Sequence, residues 1–437
     1  MGQEPMSAGF ARTCINPPLG TPMYGFAARD AKGGAEGIHD DLYMRTLYLV
    51  QGSEEALIIG CDLLFFDRAE VDRFKGALGR TLGLAPRQIL INTSHTHLGP
   101  MVGTAWTYAQ FREPHTFYLD QLERAMVETA QAARASAKEA TLWAGVTKTK
   151  VPMNRRGRTP EGTIRMLPNP GGVVADNLPV CLIKDSAGEP ICLLFSVSCH
   201  PSTSSGYEIS ADYPGVAMRL IDAHLGKACS HFLQGTGGDA KAAVIAGEGR
   251  WRVGDWNDIE QAGRTAAQEV IALLGTGLTQ VEPNLKSHQV DMIWPLQPLM
   301  SRDEYAAARD NPRVAHWDRE YLKRVVEWLD AGRSLPTEIP VLLHGIQLGN
   351  GLRMVGYEGE AVAELGLLVE AFYGGGITFP LGYTDGCQNY LPTSAMLDEG
   401  GYEATSCWEY GVPANFAQGI EEVVTAALEE LRAHGVR

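Results

Sequence analysis

Two histidines two positions apart are the first residues of this chain whose types and spacing could do chemistry. Residues 92–100 read NTSHTHLGP and follow the apolar run Ile89-Leu90-Ile91. On an extended segment, positions i and i+2 lie on one side, so His95 and His97 would present both imidazoles to one site. Neutral imidazole is the commonest metal ligand in proteins, and it also titrates near neutrality. The pair predicts metal binding or proton transfer, with local packing as the alternative.

A metal site needs further ligands, since a catalytic zinc ion takes several from His, Cys, Asp or Glu and leaves one position for water. His200 is the best second source, because it ends a strand-like run and precedes Pro201, which favours extended backbone. Glu360 follows a strand-like run and a glycine, where a sharp turn would present its carboxylate. Spacing alone does not separate it from Glu358 and Glu364. The residues predicted to pack or to face solvent are His224, His231 and Cys199.

Strand-like and helical patterns alternate along the chain and would hold these residues in place. The runs 42–50, 55–66 and 86–92 predict strands, and the third ends at the histidine pair. A hairpin is predicted from 180–185 and 191–199, leading to His200. Helical spacing predicts helices over 117–135, from about 212, and over about 415–433. Residues 301–332 start with a capping-box spacing, so 296–335 are predicted to be a helical insertion or lid, or a helical pair packed on the core.

The composition limits the class of protein. Of 437 residues, 45% are hydrophobic and 20% are charged, which is typical of a globular chain. The net charge of −15 argues against nucleic-acid and anionic-membrane partners. No signal-peptide pattern or membrane-length apolar run is visible, and the eight cysteines lack CxxC spacing. These features predict a cytoplasmic α/β protein with reduced, mostly buried thiols, multilayer mixed β-sheets and flanking helices.

Six segments, taken in order, resemble the catalytic domain of the neutral ceramidases, and most closely its short bacterial relatives. They are NTSHTHLGP, FSVSCHP, SADYPG, FLQGTGGD, GEAVAELG and NYLPT…EGGYEA, within a match from about residue 8 to about residue 425. Neutral ceramidases are zinc amidases that cleave the N-acyl bond of ceramide. The resemblance implies a single ceramidase-like catalytic domain over 1–437, without the family's C-terminal β-sandwich domain.

The resemblance also implies a site. One zinc ion per chain would be held by four residues: His95, His200, Glu360 and Tyr390. Beside the metal, facing the substrate, would lie His97, Arg155 and Tyr402, with Arg156 as the neighbouring alternative to Arg155. The chain departs from the family at Lys241, which stands in Gly238-Asp239-Ala240-Lys241 where the family has a serine with an assigned nucleophilic role. A serine nucleophile is therefore in doubt.

Three residues near this departure have two interpretations each. Asp239 could orient a ligand histidine from behind, or be a turn aspartate that caps backbone N–H groups. Lys241 and Arg156 could bind an anionic group of the substrate, or simply lie at the surface.

The predicted function is that of a zinc-dependent amidohydrolase. It would cleave a linear amide (N-acyl) bond of a small or medium polar substrate by a zinc-activated water, with donors such as His97, Tyr402 or Arg155 stabilising the oxyanion. The expected partner is a small-molecule substrate, with homo-oligomerisation left open.

Three alternatives remain at this stage. The first is a zinc enzyme performing another carbonyl reaction in a biosynthetic pathway, such as cyclisation or the opening of an ester or lactone. The second is a non-catalytic binding protein on the same scaffold, which Lys241 motivates. The third is a binuclear amidohydrolase on a TIM barrel, which would use His95, His97, Lys148, His200, His231 and Asp239.

Overall fold

The computed structural model of the chain describes residues 4–23, 25, 26, 29, 34–102 and 116–437. Its strands are β1 (Met6–Cys14), β2 (Gly37–Ile38), β3 (Tyr43–Gln51), β4 (Glu54–Cys61), β5 (Ile89–Thr93), β6 (Lys138–Lys148), β7 (Pro152–Arg158), β8 (Ile164–Asn169), β9 (Asn177–Asp185), β10 (Pro190–Val197), β11 (Glu208–Ile209), β12 (Ser230–Gln234), β13 (Ala240–Ala242), β14 (Ile245–Ala246), β15 (Arg250–Trp251), β16 (Thr279–Val281), β17 (Pro283–Pro295), β18 (Glu338–Gly349), β19 (Leu352–Tyr357), β20 (Glu360–Ala361), β21 (Ile377–Leu381) and β22 (Tyr390–Leu391). Its helices are α1 (Arg68–Leu82), α2 (Thr116–Ala135), α3 (Asp212–Leu225), α4 (Trp256–Thr276), α5 (Arg302–Asp310), α6 (His316–Asp330), α7 (Ala363–Tyr373), α8 (Ser394–Glu399), α9 (Tyr402–Thr405) and α10 (Ile420–Ala433).

A large mixed sheet contains most of the predicted strands. Its order is β12-β10-β9-β6-β1-β3-β4-β5, and β16 pairs with β6. The β4–β5 and β10–β12 pairs are parallel, whereas β1–β3, β3–β4 and β9–β10 are antiparallel. A strand is thus confirmed in each of the runs 42–50, 55–66 and 86–92, although β4 ends at Cys61 and residues 86–88 form a 3₁₀ turn. The hairpin that leads to His200 is confirmed as well.

A second sheet, β17-β18-β19-β21, packs on one face of the large sheet. The two sheets share one hydrophobic core, to which Ile58 and Leu90 contribute from the large sheet and Met354 and Phe379 from the small one. Alternation along β4 sends the neighbours of Ile58, which are Leu57 and Ile59, to the opposite face.

Helices cover the outer face of each sheet. The helix-facing core of the large sheet joins residues of β4 and β5 to residues of α1 and α2, and another core joins β9 and β10 to α3 and α4. Residues of α7 and α10 share a core with the outer face of the small sheet. The result is a helix–sheet–sheet–helix arrangement, which confirms the α/β class with multilayer mixed sheets. The TIM-barrel alternative is wrong, because that fold needs eight parallel strands closed into one barrel.

The last helix begins later than the sequence pattern predicted. It starts at Ile420, and its N-cap is Gly419 with φ +98°. Phe416 lies within the range 415–433 that was predicted to be helical. It instead pairs through its backbone with Leu296, and its ring packs against Trp294 at 4.9 Å. An apolar side chain at helical spacing can therefore be buried from an extended segment.

The charged stretch 301–332 forms the two helices α5 and α6. Ser301 caps α5 through Glu304, as the capping-box spacing predicted. Tyr305, Tyr321 and Leu322 form a small core against which Trp408 packs. The Tyr305 hydroxyl donates to the Pro413 carbonyl at 3.1 Å. The helices α5 and α6 therefore support the 3₁₀ turn Cys407–Tyr410. That residues 296–335 are an insertion relative to the ceramidases stays a prediction.

Two further observations concern burial. Seven of the eight cysteines are buried and Cys14 is exposed, as the composition predicted. Within the described ranges, no helix combines the length and the apolar character that a membrane span requires.

Candidate metal centre

The candidate site lies where parallel strands of both sheets end. Parallel neighbours end at the same edge, so residues that follow them meet in space. His95 lies two positions after β5, and His200 lies three positions after β10. In the small sheet, Glu360 lies three positions after β19 and Tyr383 two positions after β21. The sequence predicted the first three of these positions, and the topology brings all four together.

Asn92 connects the segments that carry the site. It is fully buried at the end of β5. Its side-chain amide donates to the Gly382 carbonyl at 2.8 Å, and its side-chain oxygen accepts from the Gln234 N–H at 2.8 Å. One residue thus links β5, β12 and the turn after β21. Its sequence signal was its place three residues before His95, but sequence analysis did not assign it a role.

Two glycines allow the chain segments to approach closely. A Cβ on Gly238 would lie 2.5 Å from the Glu360 carbonyl oxygen, and one on Gly237 would lie 2.5 Å from the Cys199 backbone nitrogen. Such distances are far below a normal contact, so side chains are excluded there. The glycine turn of FLQGTGGD therefore packs between the segments that carry His200 and Glu360.

The Nε2 atoms of three histidines converge. His95, His97 and His200 form a group in which one ligand atom of each lies within 4.8 Å of the others. The two Nε2 atoms of His95 and His97 are 3.2 Å apart. A Glu360 carboxylate oxygen lies 3.3 Å from His95 Nε2 and 3.1 Å from His200 Nε2. His97, which the resemblance placed on the substrate side, is thus also close enough to be a ligand.

The other ring nitrogen of each histidine is held by a backbone carbonyl. The Nδ1 of His95 donates to the Leu64 carbonyl at 3.0 Å, and that of His97 donates to the Gly25 carbonyl at 2.9 Å. The Nδ1 of His200 donates to the Gly237 carbonyl at 2.7 Å. A carbonyl only accepts, so each Nδ1 carries a proton and each neutral ring turns an Nε2 lone pair toward the cluster. Lone pairs at this distance repel unless a cation lies between them. The cluster therefore fits a metal ion, with tautomers set as metal-binding histidines require.

Glu360 and Tyr390 are brought together by strand register. The short strands β20 and β22 are parallel, and Glu360 is the direct partner of Tyr390, which places both side chains on one face. The Tyr390 hydroxyl lies 3.4 Å from His200 Nε2. Both residues are buried, and the Glu360 carboxylate also accepts hydrogen bonds from the hydroxyls of Tyr383 and Tyr410. The donor set has the two imidazoles, carboxylate and phenol that the resemblance implied.

Burial and neighbouring charge set the protonation of the cluster. Burial, then the Arg155 charge, lowers the pKa of His200 to about 4. Burial, then the neighbouring imidazoles, holds the pKa of His97 well below its usual value. Burial raises the pKa of Glu360, but the imidazoles of His95 and His200 outweigh it and hold that pKa well below the usual range. At neutral pH, the Glu360 carboxylate is therefore ionised, and the imidazoles of His97 and His200 are neutral.

Arg155 and Arg156 differ in the partners that their guanidinium groups bind. Arg155 donates to the Tyr390 hydroxyl and to Glu403, each at 2.9 Å. Arg156 donates to the other Glu403 oxygen at 2.9 Å and to Glu399 at 3.1 Å. It lines a polar cavity of about 610 Å³ that has none of the converging histidines among its lining residues. Of the two, Arg155 is thus the one that contacts Tyr390 beside the histidines, and the Arg156 guanidinium is bound by carboxylates.

The remaining predicted residues surround the cluster. Asp239 is fully buried. It accepts from the Asn154 side chain at 2.9 Å and from the Ala363 N–H, the first of α7, at 2.8 Å. These contacts favour the capping interpretation, since they tie the start of α7, just after Glu360, to the glycine turn. The Tyr402 ring packs on Tyr390 at 5.2 Å, and its hydroxyl donates to Glu409 at 2.9 Å.

Residues used by the TIM-barrel alternative lie elsewhere. Lys148 is paired with Asp176, on an exposed part of the surface. His231 is fully buried in β12, and neither of its ring nitrogens has a hydrogen-bond partner among the described residues. Neither residue joins the converging histidines.

Tyr383 and Tyr410 are site residues that sequence reasoning missed. The Tyr383 ring stacks on His95 at 4.0 Å, with 27° between the planes. Tyr383 and His95 both have left-handed backbones, with φ +49° and +63° respectively. Such backbones cost of order 1–3 kcal/mol each in non-glycine residues and cluster at functional sites. The only signal for Tyr383 was its place in the turn-like LGYTDG, and Tyr410 had none.

Replacing Tyr410 by phenylalanine should weaken metal binding by about 10-fold to 100-fold, the usual range for residues that hold a ligand in place. The variant removes the hydroxyl that donates to Glu360 and keeps the ring. The measurement is the zinc dissociation constant, obtained by competition with a chelator. Tyr402→Phe is the matched control, because its hydroxyl bonds to Glu409. Equal losses of affinity in the two variants would contradict the assigned role of Tyr410.

The chain is similar to two solved ceramidase structures. One is the crystal structure of neutral ceramidase from Pseudomonas aeruginosa, with 15% identity and a TM-score of 0.72, covering 100% of this chain and 74% of that chain. The other is a ceramidase described as complexed with C2, with 15% identity and a TM-score of 0.72, covering 99% of this chain and 75% of that chain. No family model matches the chain, and no curated protein matches it.

The structural match and the six sequence segments agree. The structural match covers the whole chain, and the sequence resemblance runs from about residue 8 to about residue 425. The six segments contribute the strand ends and the turns that meet at the cluster. At 15% identity, the likeness establishes the fold. The chain therefore has the fold of the neutral ceramidases.

Proposed function

We propose that this chain is a zinc-dependent hydrolase that cleaves a linear amide (N-acyl) bond of a small or medium polar substrate. The observation that carries the proposal is the convergence of the Nε2 lone pairs of His95, His97 and His200 beside the Glu360 carboxylate. The likeness to ceramidase structures supports it at the level of the fold.

Zinc would be held by His95, His200, Glu360 and Tyr390, a nitrogen and oxygen donor set of the kind found in catalytic zinc sites. When bound, it supplies a Lewis acid that polarises a carbonyl and lowers the pKa of a water to about 7. Burial keeps the pKa of Tyr390 well above its usual value, while the Arg155 guanidinium at 2.9 Å opposes that shift. Arg155 thus favours the ionised phenol that metal binding requires.

His97 is the residue best placed to move a proton. Its Nδ1–H is fixed by the Gly25 carbonyl, so Nε2 is the free acceptor and points to the cluster. It is also half-buried, whereas His95 and His200 are enclosed. We infer that His97 takes a proton from the attacking water and passes it to the leaving amine. Groups that transfer protons in this way contribute about 10²-fold to 10⁴-fold in rate.

The partly exposed residues around the cluster indicate where a substrate would enter. They are Phe26, His97, Tyr402, Tyr410 and Lys241. The Phe26 ring packs on His97 at 5.1 Å, and the tyrosine rings pack on Tyr390 at 5.2 and 5.6 Å. Aromatic walls with a few polar groups suit a small or medium organic substrate. With Lys241 in place of the family serine, the proposed nucleophile is water.

The test combines metal content with amide cleavage in the purified chain. We expect about one zinc per chain and hydrolysis of members of an N-acyl panel, with both lost in His200→Gln. His97→Gln should keep the metal and lose about 10²-fold or more in rate. The measurements are elemental analysis and release of the free amine.

Three outcomes would change the conclusion. Loss of zinc in His97→Gln would make His97 a ligand. Zinc in the native protein with cleavage of esters or lactones alone would favour the alternative carbonyl reaction. Absence of zinc after supplementation, in both the native protein and His200→Gln, would overturn the metal-dependent hydrolase and favour a binding protein.

A further inference from the structure

Strand register places Lys241 on the same face as the metal cluster. Lys241 pairs with Met153 where β13 meets β7, and it forms an isolated parallel bridge with His200. Directly paired residues point to the same face of a sheet. Lys241 and His200 therefore share one face, and the Arg155 guanidinium lies close enough for its charge to act on Lys241, which is half-buried.

Lys241 has no carboxylate partner in the described part of the chain. Its ammonium lies over the Trp251 ring, 5.0 Å from the ring centroid. By contrast, Arg155 and Arg156 share the two oxygens of Glu403. Burial, followed by the neighbouring Arg155 charge, lowers the pKa of Lys241. A partly desolvated cation beside a second cation, without an anion of its own, is unfavourable, so this face would gain stability from an added anion.

The available donors indicate the kind of anion. Arg155 already uses Nε and Nη2 for Glu403 and Tyr390, so the free cation here is a single ammonium. An ammonium acts as a point charge and does not form the two-pronged contact that an arginine offers to phosphate. One singly charged carboxylate matches it. The Trp251 ring beneath it would contact the carbon chain that bears the carboxylate.

We propose that Lys241, with Trp251, binds a carboxylate of the substrate, so that the preferred substrates are N-acyl compounds that carry a carboxylate group. This inference rests on the proposed amide hydrolysis. It assigns to Lys241 a specificity role at the position where the family has a serine. Because the chain carries a net charge of −15, which repels anions in general, attraction of an anionic substrate has to come from such a local cation.

The experiment compares each carboxylate with its neutral carboxamide. The probes are N-butanoylglycine and N-butanoylglycinamide, together with the same pair built on 4-aminobutanoate, which reaches further from the amide. Dissociation constants are measured by calorimetry on the metal-loaded full chain, with each pair tested at low temperature before turnover. Amine release is then followed in the same samples.

The variants separate charge at Lys241 from general effects. Lys241→Met removes the charge and keeps the chain length, and Lys241→Arg restores a charge. Lys184→Met is the matched control, because Lys184 also lies over a tryptophan ring, at 4.9 Å from Trp143, on β9 outside the site. For the better-fitting pair, we expect the wild type and Lys184→Met to bind the carboxylate about 10-fold or more tightly than the carboxamide. Lys241→Met should lose this difference, and Lys241→Arg should keep most of it.

Equal affinities for carboxylate and carboxamide in the wild type would overturn the inference. So would a preference that survives in Lys241→Met, or failure of every carboxylate probe to bind. Cleavage of neutral and anionic amides with equal efficiency would overturn it while leaving the proposed hydrolase intact. Binding of a carboxylate through Lys241 without cleavage of any amide would support the anion site and count against the hydrolase.

Discussion

Glu360→Gln should abolish tight metal binding at the histidine cluster and lower amide hydrolysis by at least about 100-fold. The glutamine keeps the shape of the side chain but removes the negative charge that lies 3.1 Å from His200 Nε2 and 3.3 Å from His95 Nε2. Removing residues that merely hold a ligand already costs about 10-fold to 100-fold in metal affinity, so loss of a charged ligand should cost at least as much. Metal content and chelator competition measure the first effect, and amine release measures the second.

A second, thermal measurement tests the same variant without relying on activity. A ligand that binds only the folded state stabilises it by about 2.7 kcal/mol at 100 times its dissociation constant. Added zinc should therefore raise the denaturation midpoint of the native protein and leave that of Glu360→Gln almost unchanged. This comparison separates loss of the metal from loss of a catalytic step.

Glu358→Gln is the matched control for Glu360→Gln. Glu358 is also buried, two residues away in the same turn. Its carboxylate is bound by Arg68, by the Gln388 amide at 2.9 Å and by the Leu342 N–H at 2.9 Å. This variant should lose stability and keep its metal. Full zinc occupancy in Glu360→Gln, or equal metal loss in both variants, would remove Glu360 from the ligand set.

Asp385→Asn should destabilise the fold by about 3–5 kcal/mol, the usual effect of removing one partner from a buried ion pair. Asp385 is buried, and its carboxylate lies 2.7 Å from Lys75 Nζ and 2.6 Å from His344 Nδ1. It also accepts from the Ile91 N–H at 3.0 Å. The backbone of Asp385 is left-handed at φ +59°, which asparagine tolerates well. The substitution therefore tests the charge and not the backbone.

This network matters for the site as well as for stability. Asp385 ties β5, which leads to His95, to the turn that carries Tyr383. The free energy of unfolding of the metal-free protein is measured by chemical denaturation. Asp291→Asn is the control, because Asp291 is mostly exposed in its pair with Arg68 and such pairs contribute about 0–1 kcal/mol. Similar losses in the two variants would show that the buried network contributes no more than a surface pair.

The same carboxylate predicts a pH dependence. Burial raises the pKa of Asp385, but Lys75 and then His344 outweigh it and lower that pKa from 3.8 to about 2. The folded-state pKa is depressed, so this stabilisation is complete above pH 3.8 and is lost as the pH falls toward 2. The difference corresponds to about 2 kcal/mol. Between those pH values, the stability gap between the native protein and Asp385→Asn should narrow, and a constant gap would contradict the assignment.

Much of the fold could be read from local patterns. The strands that end near His95 and His200 were predicted, because apolar runs followed by turn residues report local structure directly. The start of the last helix was misplaced. Phe416 has helical spacing, but it is buried through a strand-like contact with Leu296. Spacing reports which residues are buried and leaves open which backbone buries them.

For the candidate ligands too, spacing along the sequence did not decide which residue takes the role. The three acidic residues of residues 358–364 have similar spacing from the strand and glycine. The tertiary structure separates them, since Glu358 is bound by Arg68, Glu364 lies in the first turn of α7, and the Glu360 carboxylate meets the histidines. Arg155 and Arg156 are separated in the same way, since Arg155 also binds Tyr390 and Arg156 also binds Glu399. In each case, hydrogen-bond partners that are distant in the sequence determine which residue lies at the histidine cluster.

By itself, the sequence determined the strand-end positions of His95, His200 and Glu360 and, through six ordered segments, the ceramidase fold. Both are encoded in short stretches, where periodicity and turn residues act over a few positions. Only the tertiary structure decided which side chains meet. Tyr383 and Tyr410 reach Glu360 from 23 and 50 positions away, and Lys241 faces the cluster through its register with Met153 and His200. Such contacts depend on how sheets stack and strands align, which no local pattern specifies.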